Sequence, residues 1–550
     1  LAANNDIVSL GVIQGQTNTD QEDPLVTVLS QLVEKPAAWI RAAINSDQTV
    51  PGQYIPIGEA LKDSVHEKIE PLTALDGVTW QEYKGRYYPA QGIAPHVTGY
   101  VAAIQQGQEQ QYEREGYNLG ERVGQNGIEF WGEPYLTGQR GAELRVIDPQ
   151  GNAVSVLSRV EQKPAQSIYL TIDRDLQLEA QRAIASFNGA IVVVERDTGR
   201  VLAMVSSPGF DPNAFECGEN GVNINQCTAL LQIINDGRER SYNRATGNGY
   251  PLGSVFKVIT MAAALESGLF KPEDTLDCQH EYVIDGTVLE DWTKAKDYDP
   301  SGVLNLPEGL MRSCDPWFYQ IGEILFKAGH PQDISNMARA FGLGSKTGIE
   351  GVKEEAGNIP DEAPDPVEAA RIAIGQNTVL VNPLQAARFM AAVGNGGTLY
   401  KPQVIEKITD ADGKASIVFE PQAQGTLPVK KENLMIIQEA LRMVVSDRRG
   451  TAVDIFSGLS IPVYGKTGTA EVDYDDPNAW FAGYTNQRGS RPDIAFAVVI
   501  ENGGEGSEIA APIARRLVEA YFMGGPQRKY LWEASINVTK TPEPTSTPSP

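Results

Sequence analysis

Cysteine and histidine are scarce here, with four of each in 550 residues. Four cysteines do not make a disulfide framework for so long a chain. No Cys or His spacing matches a metal-ligand pattern, so neither a metal nor a cofactor is expected. His66, His96, His280 and His330 are scattered, and each reads as a structural side chain rather than a ligand. Cys217 and Cys227 sit close together in the polar stretch "CGENGVNINQC". Outside the cytoplasm they could bridge; otherwise they are two free thiols.

Long apolar runs are also missing. Nowhere do 18 apolar residues follow one another, which excludes a transmembrane helix within the sequence and gives no sign of a signal peptide. The opening "LAANNDIVSLGVI" begins abruptly on a strand-like alternation, as expected of a segment cut from something longer. No cluster of Lys and Arg stands out, and the net charge is −25. That argues against nucleic acid, which is held mainly through basic contacts to phosphate. It also leaves no polybasic patch for anionic lipid.

What is present is an ordinary globular composition, 41 % apolar and 21 % charged, long enough for two or more domains. Residues 1–165 are rich in polar residues, glycine and short strand patterns, and carry no catalytic cluster. A Pro-containing connector, "EQKPAQSIYLTID", precedes a helix expected from about Asp173 to Ser186. Next, "GAIVVVERDTGRVLAMVSS" reads as a β-hairpin, apolar enough to be covered on both faces. Far downstream, "VYGKTGTAEV", "AWFAGYT" and "DIAFAVVIENG" supply three more strands, and "SEIAAPIARRLVEAYF" an amphipathic helix. The expectation is an α/β sandwich of the α+β kind over 166–525: a five-stranded antiparallel sheet with helices on both faces, preceded by a β-rich N-terminal domain. Residues 526–550, ending "TKTPEPTSTPSP", have almost nothing to bury and read as a linker or wall-facing tether.

The chemistry gathers at "YPLGSVFK". Ser254 stands at a helix start with Lys257 one turn along, and the helix should stop near Gly268. A serine hydroxyl attacks only when a base takes its proton. Residues i and i+3 share a helix face, so Lys257 can lie beside that oxygen. It acts as a base only as a neutral amine, which burial and a second cation both favour. The helix start adds backbone N–H groups where negative charge would develop. Ser-x-x-Lys alone is weak, because serine caps many helices. Two further elements support it. "RSCDPWFYQIGEILF" puts Ser313, Cys314 and Asp315 before an apolar helix, and "YGKTGTAEV" puts Lys466, Thr467, Gly468 and Thr469 on a strand. Another Lys-Thr-Gly, Lys346 to Gly348, lacks strand flanks and reads as structural.

A Ser-x-x-Lys, a Ser-x-Asn-like element and a Lys-Thr-Gly in this order form the set of penicillin-binding proteins and class A β-lactamases. With "GAIVVVERDTGRVLAMVSSPGFDPN", "YNRATGNGYPLGSVFK", "AIGQNTVLVNPLQAARFMAAVGNGGTLYKP" and "AWFAGYT" also in family order, the chain resembles a class B penicillin-binding protein. These are monofunctional serine D,D-transpeptidases of bacterial cell-wall synthesis. "RYYPAQGIAPHVTGYV" and "GQNGIEFWGEPYLTGQRG" resemble the family's pedestal, or dimerisation-type, domain, and Arg86 and Glu129 are candidate ion-pair partners within it. Class B members normally start with a membrane anchor, so the resemblance implies one that this sequence lacks.

Carried over residue by residue, the resemblance makes Ser254 the acylated nucleophile, Lys257 its base and Ser313 the proton relay. It gives the donor's terminal carboxylate to Lys466 and Thr467, beside Gly468. The oxyanion hole would be the backbone N–H groups of Ser254 and Thr469. Asp315 replaces the commoner Asn, and an ionised Asp315 would favour the charged form of Lys257, against its duty as a base. The implied substrates are peptidoglycan stem peptides ending in D-Ala–D-Ala, with β-lactams as covalent inhibitors. The implied partner is a glycan-polymerising membrane protein, and the implied place is the extracytoplasmic face of the membrane. Two alternatives stay open: a D,D-carboxypeptidase or β-lactamase-like hydrolase, and a silent β-lactam-binding scaffold. Elongation and division are not distinguished.

Overall fold

Gly189–Glu195 is apolar at nearly every position, so the strand it forms needs cover on both faces. The computed structural model gives it that cover. It describes residues 1–13, 16, 25–27, 29–30, 37–44, 54–61, 77–117, 121–147, 153–216, 224–247, 249–376, 378–472 and 476–528. Cys217, the side chain of Cys227, His66 and residues 529–550 of the expected tail lie outside the described residues. The chain divides into two compact units: Leu1–Glu133 with Phe210–Ser241, and Pro134–Gly209 with Tyr242–Pro550.

In the second unit, β1 (Gly189–Glu195) and β2 (Val201–Ser207) form the expected hairpin. β3 (Val463–Ala470), β4 (Asn478–Thr485) and β5 (Ile494–Ile500) complete a five-stranded antiparallel sheet in the order β2-β1-β5-β4-β3. One residue row crosses the whole sheet: Val205, Ile191, Val498, Phe481 and Thr467. The next row is Met204, Val192, Ala497, Ala482 and Lys466. Because strand side chains alternate, Thr467 and Lys466 face opposite sides of the sheet.

Helices cover both faces. α1 (Arg174–Ile184), capped by the Asp173 carboxylate, begins one residue after the expected start. α2 (Lys257–Ser267) is buried from Lys257 through Leu265 and stops at Gly268. An apolar helix of this kind has no solvent face to spare. α3 (Leu306–Arg312) and α4 (Asp315–Lys327) follow one another with only Ser313 and Cys314 between them. α5 (Pro383–Asn395) packs across β1, β4 and β5. α6 (Ala510–Met523) joins α1 on the other face, where Leu176, Ala180, Leu517 and Tyr521 bury Ile191, Phe481 and Val498.

The first unit holds a three-stranded antiparallel sheet with Ala3–Ile13 between Tyr54–Leu61 and Val78–Tyr87. Leu10, Val12, Ile57 and Val78 are buried in it. Phe210–Ser241 belongs to this unit: Asn213 exchanges two hydrogen bonds with the Tyr88 backbone, and Phe215 stacks on Tyr100. Arg86 Nε donates to Glu129 Oε1 at 2.7 Å, so the expected ion pair forms. Among the described residues, no helix is long and apolar enough to cross a membrane.

Candidate active site

Gly253 makes the site possible. Its φ is +56°, and a Cβ there would stand 2.6 Å from the carbonyl oxygen of Thr469. Only glycine lets the chain pass this close to β3 in this conformation. The residues Gly253–Phe256 form a 3₁₀ turn that runs straight into α2. Ser254 therefore stands half-buried at the edge of the sheet, lining a cleft of about 580 Å³. Its hydroxyl makes no hydrogen bond among the described residues. Gly468 extends the close approach, since a Cβ on it would come within 2.9 Å of Val255.

Lys257, one turn on, is wholly buried. Its Nζ donates to Asp315 Oδ1 at 2.6 Å, to the Ser313 carbonyl at 2.7 Å and to Ser313 Oγ at 3.3 Å. Three donors meet three oxygens, which is the hydrogen-bonding capacity of an ammonium group. Lys466 approaches from β3, and its Nζ reaches Ser313 Oγ at 2.8 Å and the Thr467 carbonyl at 2.9 Å. Ser313 Oγ thus joins two buried lysines. Burial, with the positive charge of Lys257 close by, holds the Lys466 amine well below the ordinary lysine range; Asp315 opposes that and does not cancel it.

The turn carrying Ser313 and Asp315 is tightly held. Ser313 has φ +60°, the left-handed region that residues with side chains seldom adopt. Cys314 forms a disulfide with Cys278. Asp291 Oδ1 accepts the Asp315 backbone N–H at 2.8 Å, and Asp315 Oδ2 accepts from Trp292 N at 3.2 Å. The Asp291 carboxyl is raised from its ordinary range, first by burial and then by the charge of Asp315.

The structure places each expected site residue, but among the described residues Lys257 makes no hydrogen bond to the Ser254 hydroxyl, contrary to expectation. Ser254, Ser313, Asp315, Thr467, Gly468 and Thr469 line the cleft. Lys257 and Lys466 stand behind it, fully buried, with the Lys466 amine turned to Ser313. The second Lys-Thr-Gly is structural: Glu354 accepts from the Thr347 backbone and hydroxyl and from Gly348 N. Four participants were missed from sequence. Thr451 Oγ1 lies 2.7 Å from Thr467 Oγ1, Glu505 accepts the Thr469 hydroxyl at 2.7 Å, and Asp291 and Cys278 hold the Ser313 turn. None belongs to a local pattern, and the cysteines singled out from sequence were Cys217 and Cys227, not the bridged Cys278 and Cys314.

The model for the penicillin-binding protein transpeptidase domain matches residues 189–519, and that for the penicillin-binding protein dimerisation domain matches residues 1–170. The chain belongs to the penicillin-binding protein transpeptidase family. Among its relatives, the peptidoglycan D,D-transpeptidase MrdA of Escherichia coli is 28 % identical over 482 residues, covering 82 % of this chain and 73 % of that protein. A solved chain from a peptidoglycan synthase complex that coordinates polymerization and crosslinking is 29 % identical, with TM-score 0.76 over 96 % of this chain and 89 % of that one. Penicillin-binding protein A of M. tuberculosis, solved as its ceftriaxone acyl-enzyme complex, is 25 % identical, with TM-score 0.63 over 80 % of this chain and 93 % of that one. In this member of the family, the middle element is Ser313-Cys314-Asp315, and its cysteine is bridged.

Proposed function

We propose that this chain is a peptidoglycan D,D-transpeptidase in which Ser254 attacks the D-Ala–D-Ala bond of a stem peptide, expels D-Ala and passes the acyl group to a neighbouring stem amine. The observation that carries this reading is the buried chain Lys257–Ser313–Lys466, one helical turn from a hydroxyl that faces the cleft. In this reading the proton starts on Lys257, paired with Asp315, and Lys466 is positioned to receive one through Ser313. The donor's terminal carboxylate binds at the paired hydroxyls of Thr467 and Thr451, in front of Lys466. Its negative charge favours protonation of Lys466.

A proton then moves from Lys257 to Ser313 Oγ as Ser313 gives its own to Lys466. The freed amine of Lys257 takes the Ser254 proton as the serine oxygen bonds to the scissile carbonyl. Charge on that carbonyl oxygen falls to the backbone N–H groups of Ser254 and Thr469. As the C–N bond breaks, Ser313 delivers a proton to the leaving D-Ala nitrogen and takes its replacement from Lys257, which received the Ser254 proton. The acyl-enzyme is the species a β-lactam would trap, as the ceftriaxone complex of the M. tuberculosis relative illustrates.

In this reading the chain works at the extracytoplasmic face of the bacterial membrane, with residues 1–165 as a pedestal that takes no part in acyl transfer. A buried disulfide at Cys278 and Cys314 supports an oxidising compartment. The synthase complex among the structural relatives supports a glycan-polymerising partner.

The test is turnover of a stem pentapeptide with an acceptor amine present. The expected products are free D-Ala and a cross-linked dimer, both lost in Ser254→Ala. Free D-Ala with a hydrolysed tetrapeptide and no dimer would instead assign a carboxypeptidase.

A further inference from the structure

One segment supplies three ties to the turn that carries Ser313 and Asp315. The strand Thr275–Cys278 ends at Cys278, whose disulfide partner Cys314 stands between those two residues. Asp291 uses Oδ1 for the Asp315 backbone N–H and Oδ2 for the Thr293 backbone N–H and hydroxyl. Trp292 gives its backbone N–H to Asp315 Oδ2, and its indole N–H to the Arg312 carbonyl at 3.2 Å. Cys278, Asp291 and Cys314 are all buried.

The turn needs such support. Ser313 sits in a left-handed conformation, at the end of α3 and immediately before α4. Its hydroxyl has to meet Lys257 and Lys466 at once, and the Asp315 carboxylate has to meet Lys257. A small drift of the turn would break the proton path while leaving the cleft open to a ligand.

We infer that Asp291 and the Cys278–Cys314 disulfide are positioning groups for acyl transfer, a clip that holds Ser313 and Asp315 in register with the two lysines. The inference rests on the proton path described above. Asp291 and the disulfide act through Ser313 and Asp315 and transfer no proton themselves.

The test resolves penicillin acylation into a noncovalent dissociation constant and an acylation rate constant. Asp291→Ala should slow the acylation step about 10- to 100-fold, the cost of a misplaced catalytic group. Its dissociation constant should stay within about threefold of the wild-type value. Asp291→Asn keeps an oxygen for the Asp315 N–H and should recover most of the rate. Cys278→Ala/Cys314→Ala, assayed well below its melting temperature, should show the same split and decides the matter if Asp291→Ala does not fold. Ser313→Ala separates the two layers. Fast acylation in Ser313→Ala would remove the proton path itself. Slow acylation in Ser313→Ala beside wild-type rates in the folded clip variants would keep the path and overturn the positioning role. A loss confined to the dissociation constant would overturn it too.

Discussion

Lys257 Nζ stands 2.6 Å from Asp315 Oδ1, with the lysine fully buried and Ser313 linking it onward to Lys466. The first pair gives the lysine beside Ser254 a carboxylate partner. The second puts an amine that burial holds well below the ordinary lysine range at the far end of the same hydroxyl. The site therefore holds two buried amines joined through one serine hydroxyl.

Asp315→Asn tests that division of charge. Asn keeps an oxygen for Lys257, while its amide nitrogen replaces the oxygen that accepts from the Trp292 N–H. It removes the negative charge that draws Lys466 back toward its ordinary range, so the Lys466 amine should stay neutral to lower pH. Acylation near neutral pH should equal or exceed the wild-type rate, and the acid limb of its pH profile should move to lower pH. A large loss at neutral pH in a folded variant would show that the carboxylate has a specific task.

Lys466 should also leave a mark on stability. An unfolded lysine titrates near 10.4, whereas burial holds Lys466 well below that in the folded chain. Between the folded and the unfolded value the unfolded chain binds the extra proton, so stability rises with pH across that window. Lys466→Met removes this contribution. Denaturant titrations at about pH 7 and about pH 9 should show the wild type gaining on Lys466→Met at the higher value. Parallel curves for the two proteins would contradict a depressed Lys466.

The disulfide closes a loop with a sequence separation of 36 residues. Loop-closure entropy of that size corresponds to about 4 kcal/mol. Cys278→Ala/Cys314→Ala should lower the denaturant midpoint of the second unit accordingly. An unchanged midpoint would mean that the bridge contributes nothing to the folded state's advantage.

In the first unit, Glu129 is 4 % exposed and its partner Arg86 19 %. Glu129→Ala leaves a partly buried guanidinium with only Asn4 to accept from it among the hydrogen bonds described. A loss of about 1–3 kcal/mol, the cost of leaving a partly buried donor without its partner, is expected in the unfolding of that unit. Penicillin acylation should not change, since every residue assigned to acyl transfer lies in the second unit.

Much of this was legible from sequence because it is written locally. The apolar hairpin "GAIVVVERDTGRVLAMVSS" and the three late strands declare a covered sheet, and Ser254 and Lys257 share one turn. The order of the three motifs implied that they meet, although no local pattern brings Ser313 between Lys257 and Lys466. The cysteines show the limit. Cys217 and Cys227 drew attention by proximity, and Cys217 and the Cys227 side chain fall outside the described residues, whereas Cys278 and Cys314 meet only after the strand Thr275–Cys278 pairs with Gly302–Asn305. Asp291, Thr451 and Glu505 reach the site in the same way, from ordinary loop sequence through tertiary folding.

The central claim is that Ser254 is the acylated residue, and peptide mapping after exposure to a fluorescent penicillin tests it most directly. The account predicts a stable adduct on the peptide containing Ser254, released slowly, and no adduct on the folded Ser254→Ala protein. An adduct on any other peptide, or undiminished covalent labelling of Ser254→Ala, would contradict it.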